Sequence, residues 1–154
     1  QKNPTLFNEI AMMLPDVKFI WIGDGELRNK LTSKNIEITG WIDRSKAIKY
    51  AINADVFLLT SRWEGLPISL LESMYMKKVC IVSDIIGNRD VIRDGENGYV
   101  CKELEKFVNS IQKSRENSYS RQIIDNAYEE IMCEYNTKTM ANNYMNIYEN
   151  SIRK

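Results

Sequence analysis

Histidine is absent from this 154-residue sequence. That removes the usual general base, the usual zinc ligand and every His-dependent triad, so catalysis from this chain would fall to carboxylates or lysines. Cysteine is scarce. Cys80, Cys101 and Cys133 are odd in number, widely separated and outside any C-x-x-C spacing. This excludes a disulfide scaffold, argues against zinc, and leads us to expect inert thiols in a reducing, cytoplasmic compartment. An excess of either charge is also missing: Lys and Arg number 21, as do Asp and Glu, for a formal net charge of zero. With no overall basic field to hold a nucleic acid or an anionic membrane, any anion has to be bound locally. No apolar run approaches the roughly 18 residues of a membrane-crossing helix, and the polar start Gln1-Lys2-Asn3-Pro4 is unlike a signal peptide. An initiating Met is lacking too, so an excised piece of a longer chain is expected.

What is present is the composition of a folded domain, 44% hydrophobic and 27% charged, which makes disorder and collagen poor readings. At this length one domain is expected, with about 70% of the unfolded chain's surface buried. Pro4 and the spacing of Leu6, Phe7, Ile10, Met13 and Leu14 predict a helix over 4–14. Strands are expected at 17–22, 36–39, 56–59 and 79–82, and again from Tyr99 to Cys101. Between them fall a short helix over 26–33, one from an Asp43 or Ser45 cap to Asn53, one opened by Leu66-Pro67 and running to Met76, and a Gly87–Asp90 loop. The run Val56–Leu59 reads as a strand buried on both faces. From Lys102 onward the pattern is helical, with Tyr128, Ile131, Met132, Tyr135, Met140, Tyr144, Met145, Ile147 and Tyr148 expected to pack onto the sheet.

Strands alternating with helices of 8 to 12 residues mean right-handed βαβ units, hence a Rossmann-like α/β fold: a doubly wound parallel sheet with helices on both faces. Ligands of such sheets sit outside the carboxyl ends of the strands, which here means the loops 23–26, 40–43, 60–67 and 83–90. The third loop is the most informative. In Ser61-Arg62-Trp63-Glu64-Gly65-Leu66-Pro67-Ile68-Ser69-Leu70-Leu71-Glu72, one carboxylate precedes a helix and the other lies in its second turn. Both can face one cleft, and the helix amino end between them is an anion site. Carboxylates accept hydrogen bonds from sugar hydroxyls while backbone N–H groups hold phosphate, which is the layout of a nucleotide sugar.

The E-x7-E pattern from Glu64 to Glu72 resembles the signature of family 4 retaining glycosyltransferases, whose two Rossmann-like domains form the GT-B arrangement. Supporting segments follow in that family's order: Gly23-Asp24-Gly25, Ile38-Thr39-Gly40-Trp41-Ile42, Ala54-Asp55-Val56-Phe57-Leu58-Leu59, Ser83-Asp84-Ile85-Ile86-Gly87 and Asp94-Gly95-Glu96-Asn97-Gly98. The resemblance covers about residues 2 to 101. It implies that Glu64 contacts donor-sugar hydroxyls and stabilises charge, that Glu72 holds the ribose, and that Gly65, Leu66, Pro67 and Ile68 line the sugar and phosphate region. It further implies that Gly23 and Gly25 belong to the donor site, that Trp41 and Ile42 lie near the base, and that Lys2 helps neutralise the departing diphosphate. No D-x-D motif occurs, in keeping with a metal-independent family that uses a nucleoside-diphosphate sugar as co-substrate and needs no cofactor.

Departures are an arginine and a strand that would precede Lys2, and an acceptor-binding N-terminal domain. Leu66-Pro67 also stands where many relatives have Phe-Gly. The implied protein is the donor half of a hexosyltransferase that builds a cell-surface polysaccharide or glycolipid. A glycan or lipid-linked acceptor would enter through the other domain, with peripheral membrane association of the longer enzyme and no nucleic-acid partner. In the GT-B arrangement the last helix crosses to the other domain, so the resemblance also implies an exposed apolar face there. Two other readings stay open, a sugar-nucleotide epimerase of the same architecture and a non-catalytic flavodoxin-like module. Gly23-x-Gly25 followed by Asp43 hints at a dinucleotide fingerprint, against which Arg28 occupies the place of the third glycine. Trp41 as a core residue, and Arg62 and Arg89 as solvated charges, are the plainer alternatives to site roles.

Overall fold

A computed structural model describes residues 1–152, the side chains of 117–119 excepted. In chain order the elements are α1 (Pro4–Met13), β1 (Phe19–Trp21), β2 (Ile36–Ile38), α2 (Arg44–Asn53), β3 (Val56–Leu59), α3 (Ile68–Tyr75), β4 (Val79–Ser83), α4 (Ile86–Arg89), β5 (Tyr99–Cys101), α5 (Leu104–Lys113), α6 (Asn117–Glu134) and α7 (Thr137–Ile152). Every strand pair is parallel: Phe19 lies opposite Ile36, Val56 opposite Val79, and Ile81 opposite Tyr99. The α/β expectation therefore holds, with one difference. The strands form two sheets, β1-β2 and β3-β4-β5, and no hydrogen-bonded strand joins β1 to β3 among the described residues. In the doubly wound order 3-2-1-4-5-6, these are the positions on either side of the first strand.

The centre of the fold is β4, buried along its whole length. Because successive side chains of a strand point to opposite faces, Val79 and Ile81 enter one core with Phe7, Ile10, Phe19, Phe107, Ile111 and Ile123. Cys80 and Val82 enter a second core with Leu59, Leu70, Met74, Val91 and Ile131. Helices α1 and α5 cover the first face and α3 the second, while α6 contributes to both. Two asparagines tie the β1-β2 sheet to α1. Asn35 donates to the carbonyls of Ala11, Leu14 and Val17 at 3.0, 2.9 and 2.8 Å, while the Asn8 side-chain oxygen accepts from the N–H groups of Thr32 and Ser33 at 2.7 and 2.8 Å.

Several elements differ from the sequence expectation. The helix over 26–33 is a single 3₁₀ turn at Arg28–Lys30, because Asn8 captures the N–H groups of Thr32 and Ser33 that would have continued it. Strand β3 is half-buried at Val56, Phe57 and Leu58, since it forms the edge of its sheet. Pro67 caps α3 instead of opening it: its ψ of 102° is extended, and its carbonyl accepts from Leu70 and Leu71 at 2.9 and 3.3 Å. The Gly87–Asp90 loop is largely the helical turn α4, held by Asn88 donating to the Ser83 carbonyl at 2.9 Å.

At the carboxyl end, Ile123, Ala127 and Ile131 are buried and Tyr128 stacks on Tyr75 at 5.8 Å. Met132 and the α7 residues Met140, Tyr144, Met145, Ile147 and Tyr148 are exposed, so they do not pack onto the sheet, and α7 shows the exposed apolar face that the resemblance implies for the last helix. The helical expectation for residues 153 and 154 lies outside the described residues. Cys80 and Cys101 are buried, and burial pushes both thiols up, which fits inert roles. Cys133 is exposed. Among the described residues, no helix is long and apolar enough to cross a membrane.

Candidate functional site

The four loops at the carboxyl edge of the strands meet in two pairs. In the first pair Gly23 and Gly40 form an antiparallel bridge, both at positive φ (125° and 66°), which only glycine adopts without strain. The Gly23 N–H donates to Thr39 Oγ1 at 3.2 Å. Asp24 accepts from the Gly25 N–H and from Arg28, each at 2.8 Å; chiefly through the Gly25 bond, its carboxyl is held below the usual carboxylate range. Asp43 caps α2, accepting from the Lys46 N–H at 2.9 Å and the Ser45 hydroxyl at 2.6 Å, bonds that lower its pKa to about 2. Trp41 is 84% exposed, which rules out the core reading for it, and Ile42 beside it is half-buried.

In the second pair the loop after β3 lies on the loop after β4 with no room between them. A Cβ at Gly87 would stand 2.0 Å from the Gly65 carbonyl oxygen and 2.5 Å from that of Glu64. Ser83 Oγ donates to the Ser61 carbonyl, and Asn88 donates to the Ser83 carbonyl and hydroxyl. Ser61, Ser83 and Asn88 are all buried, so these bonds form where water does not compete.

That seat presents Glu64. Its Oε1 accepts from Lys2 Nζ and Ser61 Oγ, both at 2.6 Å, and its Oε2 accepts from Gln1 Nε2 at 3.3 Å. Burial alone would raise this carboxyl, but the Lys2 and Ser61 hydrogen bonds outweigh it and leave the pKa below its ordinary value. Lys2 reaches Glu64 because the amino-terminal segment runs beside the exit of β3. Thr60 Oγ1 donates to the Lys2 carbonyl and the Arg62 N–H to the Gln1 carbonyl, each at 2.9 Å.

Glu72 is the fifth residue of α3, and its Oε1 is paired with Arg44, the first residue of α2. This ion pair links the two loop pairs. Gly65, Leu66, Pro67 and Ile68 lead into the amino end of α3, where the Leu70 and Leu71 N–H groups turn back to the Pro67 carbonyl and those of Ile68 and Ser69 precede the first helical bond. Pro67 is buried, while Leu66 and Ile68 are exposed. The structure thus gathers Lys2, Glu64 and Gly65–Ile68 at one helix end, and joins Glu72 through Arg44 to the loop of Trp41 and Ile42. Gly23 and Gly25 belong to the first pair and touch neither carboxylate.

Four contributors were not singled out from sequence. Ser61 and Arg44 carry no signal beyond their closeness to Glu64 and Asp43, whereas Gly87 and Asn88 fall in or beside the Ser83–Gly87 segment. Among the described residues no three acidic or cysteine side chains are grouped to hold a metal ion. A cavity of about 310 Å³ opens beside Glu64, lined by Arg62, Trp63, Glu64, Ile85, Ile86 and Arg89. A larger one, about 390 Å³, lies at the opposite, amino edge of β1 and β2 between Pro15–Lys18 and Lys34–Glu37, far from these groups. Glu64, Glu72 and the α3 amino end lie at the other edge of the strands.

The structure is a parallel α/β layer with a helix amino end between two carboxylates, and comparison with known proteins gives the family. Residues 1–130 match the family described as glycosyl transferases group 1, and the chain belongs to that family. It is 34% identical over 128 residues to the UDP-Gal:alpha-D-GlcNAc-diphosphoundecaprenol alpha-1,3-galactosyltransferase of Escherichia coli, covering 72% of this chain and 33% of that protein. It is 39% identical over 139 residues to the lipopolysaccharide 1,6-galactosyltransferase of Salmonella typhimurium, covering 80% and 39%. The chain therefore spans about a third of the length of these relatives. Among solved structures, TarM superposes with a TM-score of 0.82 over 96% of this chain and 32% of its own, at 23% identity. The C-terminal domain of a glycosyl transferase group 1 family protein (LpcC) from Francisella tularensis superposes with a TM-score of 0.75 over 88% of this chain and 80% of its own, at 21% identity. These superpositions establish the GT-B type of fold.

Proposed function

We propose that the chain is the nucleotide-sugar-binding domain of a metal-independent, retaining hexosyltransferase of family 4, which works with an acceptor-binding domain in building a cell-surface polysaccharide or glycolipid. The observation that carries this reading is the pair Glu64 and Glu72 set on either side of the α3 amino end, with Lys2 on the first carboxylate at 2.6 Å. Glu72 accepts the ribose hydroxyls, the Ile68 and Ser69 N–H groups at the α3 amino end and the Gly65–Ile68 backbone hold the diphosphate, and Trp41 and Ile42 border the base. Lys2 shifts between Glu64 and the departing diphosphate, whose growing negative charge it offsets. Glu64, kept ionised, binds donor-sugar hydroxyls and stabilises positive charge developing at the sugar carbon. Relatives named for transfer to diphosphoundecaprenol-linked and lipopolysaccharide acceptors support an acceptor of glycan or glycolipid type. The test is product analysis with the complete enzyme: the reading expects transfer with the donor's anomeric configuration kept and activity undiminished by EDTA. An inverted product, or an epimerised nucleotide sugar without transfer, would refute it.

A further inference from the structure

The cavity of about 310 Å³ beside Glu64 has a lining that includes that carboxylate but none of Glu72, Leu66, Ile68, Gly23 or Trp41. Glu64 is thus a wall shared between the donor residues and a second concavity. The two loops that form it are held together. Gly87 sits directly on the Glu64 and Gly65 carbonyls, Ser83 is bonded to Ser61, and the Asp84 N–H donates to the Cys101 carbonyl at 2.9 Å. The cavity is therefore formed before any ligand arrives.

Its charge is decided by one side chain. Glu64 is matched by Lys2 and Arg89 by Asp84. The Arg62 backbone is anchored to Gln1, yet its guanidinium makes no hydrogen bond or ion pair with any described residue. Beside this unmatched cation stand two exposed large apolar groups, Trp63 at 63% and Ile86 at 71%. A guanidinium fork fits phosphate oxygens in a bidentate manner, and an indole face packs against the apolar C–H face of a sugar ring while leaving its hydroxyls free.

We infer that this cavity is an acceptor subsite for a saccharide carrying a phosphate, with Arg62 on the phosphate and Trp63 and Ile86 against the ring. The inference rests on the glycosyl-transfer reading, since it is the donor role of Glu64 that makes the neighbouring concavity the acceptor side. The phosphate belongs either to a free sugar phosphate or to the diester of a lipid-linked sugar.

The test is titration of this chain with glucose 1-phosphate, after saturation with whichever of UDP, GDP, ADP or CDP it binds. The expected result is that Arg62→Gln weakens glucose 1-phosphate binding at least tenfold, Arg62→Lys weakens it only a few-fold, and Trp63→Ala weakens it several-fold. Nucleotide affinity stays unchanged in all three variants, and methyl α-glucoside binds far more weakly than glucose 1-phosphate. A citronellyl phosphodiester of glucose identifies the source: tighter, Arg62-dependent binding marks a lipid-linked acceptor, weaker binding a free sugar phosphate. Unchanged glucose 1-phosphate binding in Arg62→Gln overturns the inference, as does a loss of nucleotide affinity, which would move Arg62 to the donor site. Failure of every nucleotide to bind, with Arg62-dependent glucose 1-phosphate binding retained, would instead refute the donor reading and leave the phosphate subsite standing.

Discussion

Replacing Gly87 by alanine tests how Glu64 is held. The added methyl would meet backbone at 2.0 Å, where ordinary contact begins near 3.4 Å, so the Glu64–Gly65 loop has to retreat by about 1.4 Å. Neither obstacle is the end of a flexible side chain, and forcing an extra carbon into a packed interior costs about 1–3 kcal/mol. For a domain of this size that corresponds to a fall in Tm of roughly 2–12 °C. Misplacement on the order of 1 Å at a reacting group costs about 100-fold in rate. Donor-sugar recognition at Glu64 should therefore suffer more than nucleotide recognition at Glu72. The assay is thermal unfolding by circular dichroism together with titration of a nucleotide sugar and its nucleoside diphosphate. Gly25→Ala serves as the stability control, because nothing lies within 4 Å of its added carbon. An unchanged Tm in Gly87→Ala, with the ratio of the two affinities also unchanged, would refute the packing argument.

Asn35→Leu strips a donor from the carbonyls of Ala11, Leu14 and Val17. It should destabilise the chain by about 1–3 kcal/mol in urea unfolding, the cost of leaving part-buried acceptors unmet. Asp43→Ala removes the α2 cap, and because the native pKa of about 2 lies below the ordinary 3.8, the contribution is present above pH 4 and disappears as the pH falls through about 2. The variant should have a lower Tm at pH 7 and converge on the parent below pH 2, a profile measurable by scanning Tm against pH. In a thiol titration of the native chain Cys133 should react promptly, and Cys80 and Cys101 only after unfolding.

The alternation of strand and helix, the register of apolar residues along β4 and the Asp43 cap were legible because each depends on neighbours in sequence. The shortness of β1, the 3₁₀ turn at Arg28–Lys30 and the opening of α3 at Ile68 were not. They depend on Asn8, Asn35 and the extended Pro67, whose partners lie 18 to 25 residues away or in backbone angles that composition does not record. The same division runs through the site. Glu64 and Glu72 stand out by their spacing, whereas Ser61, Arg44, Gly87 and Asn88 act across the fold, and what marks them in the sequence is only that they fall in or beside the loops already singled out. Trp41 follows a glycine at positive φ and is exposed, which its apolar character alone does not indicate. For the apolar residues of α7 the helical spacing is clear, but spacing alone does not say what a helix packs against; their exposure was foreseen from the family resemblance and not from the pattern.

The central claim is that Glu72 and the amino end of α3 bind a nucleoside diphosphate. Its most direct test is ligand-observed NMR of this chain with UDP, GDP, ADP, CDP and NAD, without magnesium, repeated on Glu72→Ala. The account predicts that one nucleoside diphosphate binds and that Glu72→Ala weakens it on the order of tenfold or more, the worth of hydrogen bonds to a charged acceptor. Binding of NAD alone, or nucleotide binding indifferent to Glu72, would contradict it.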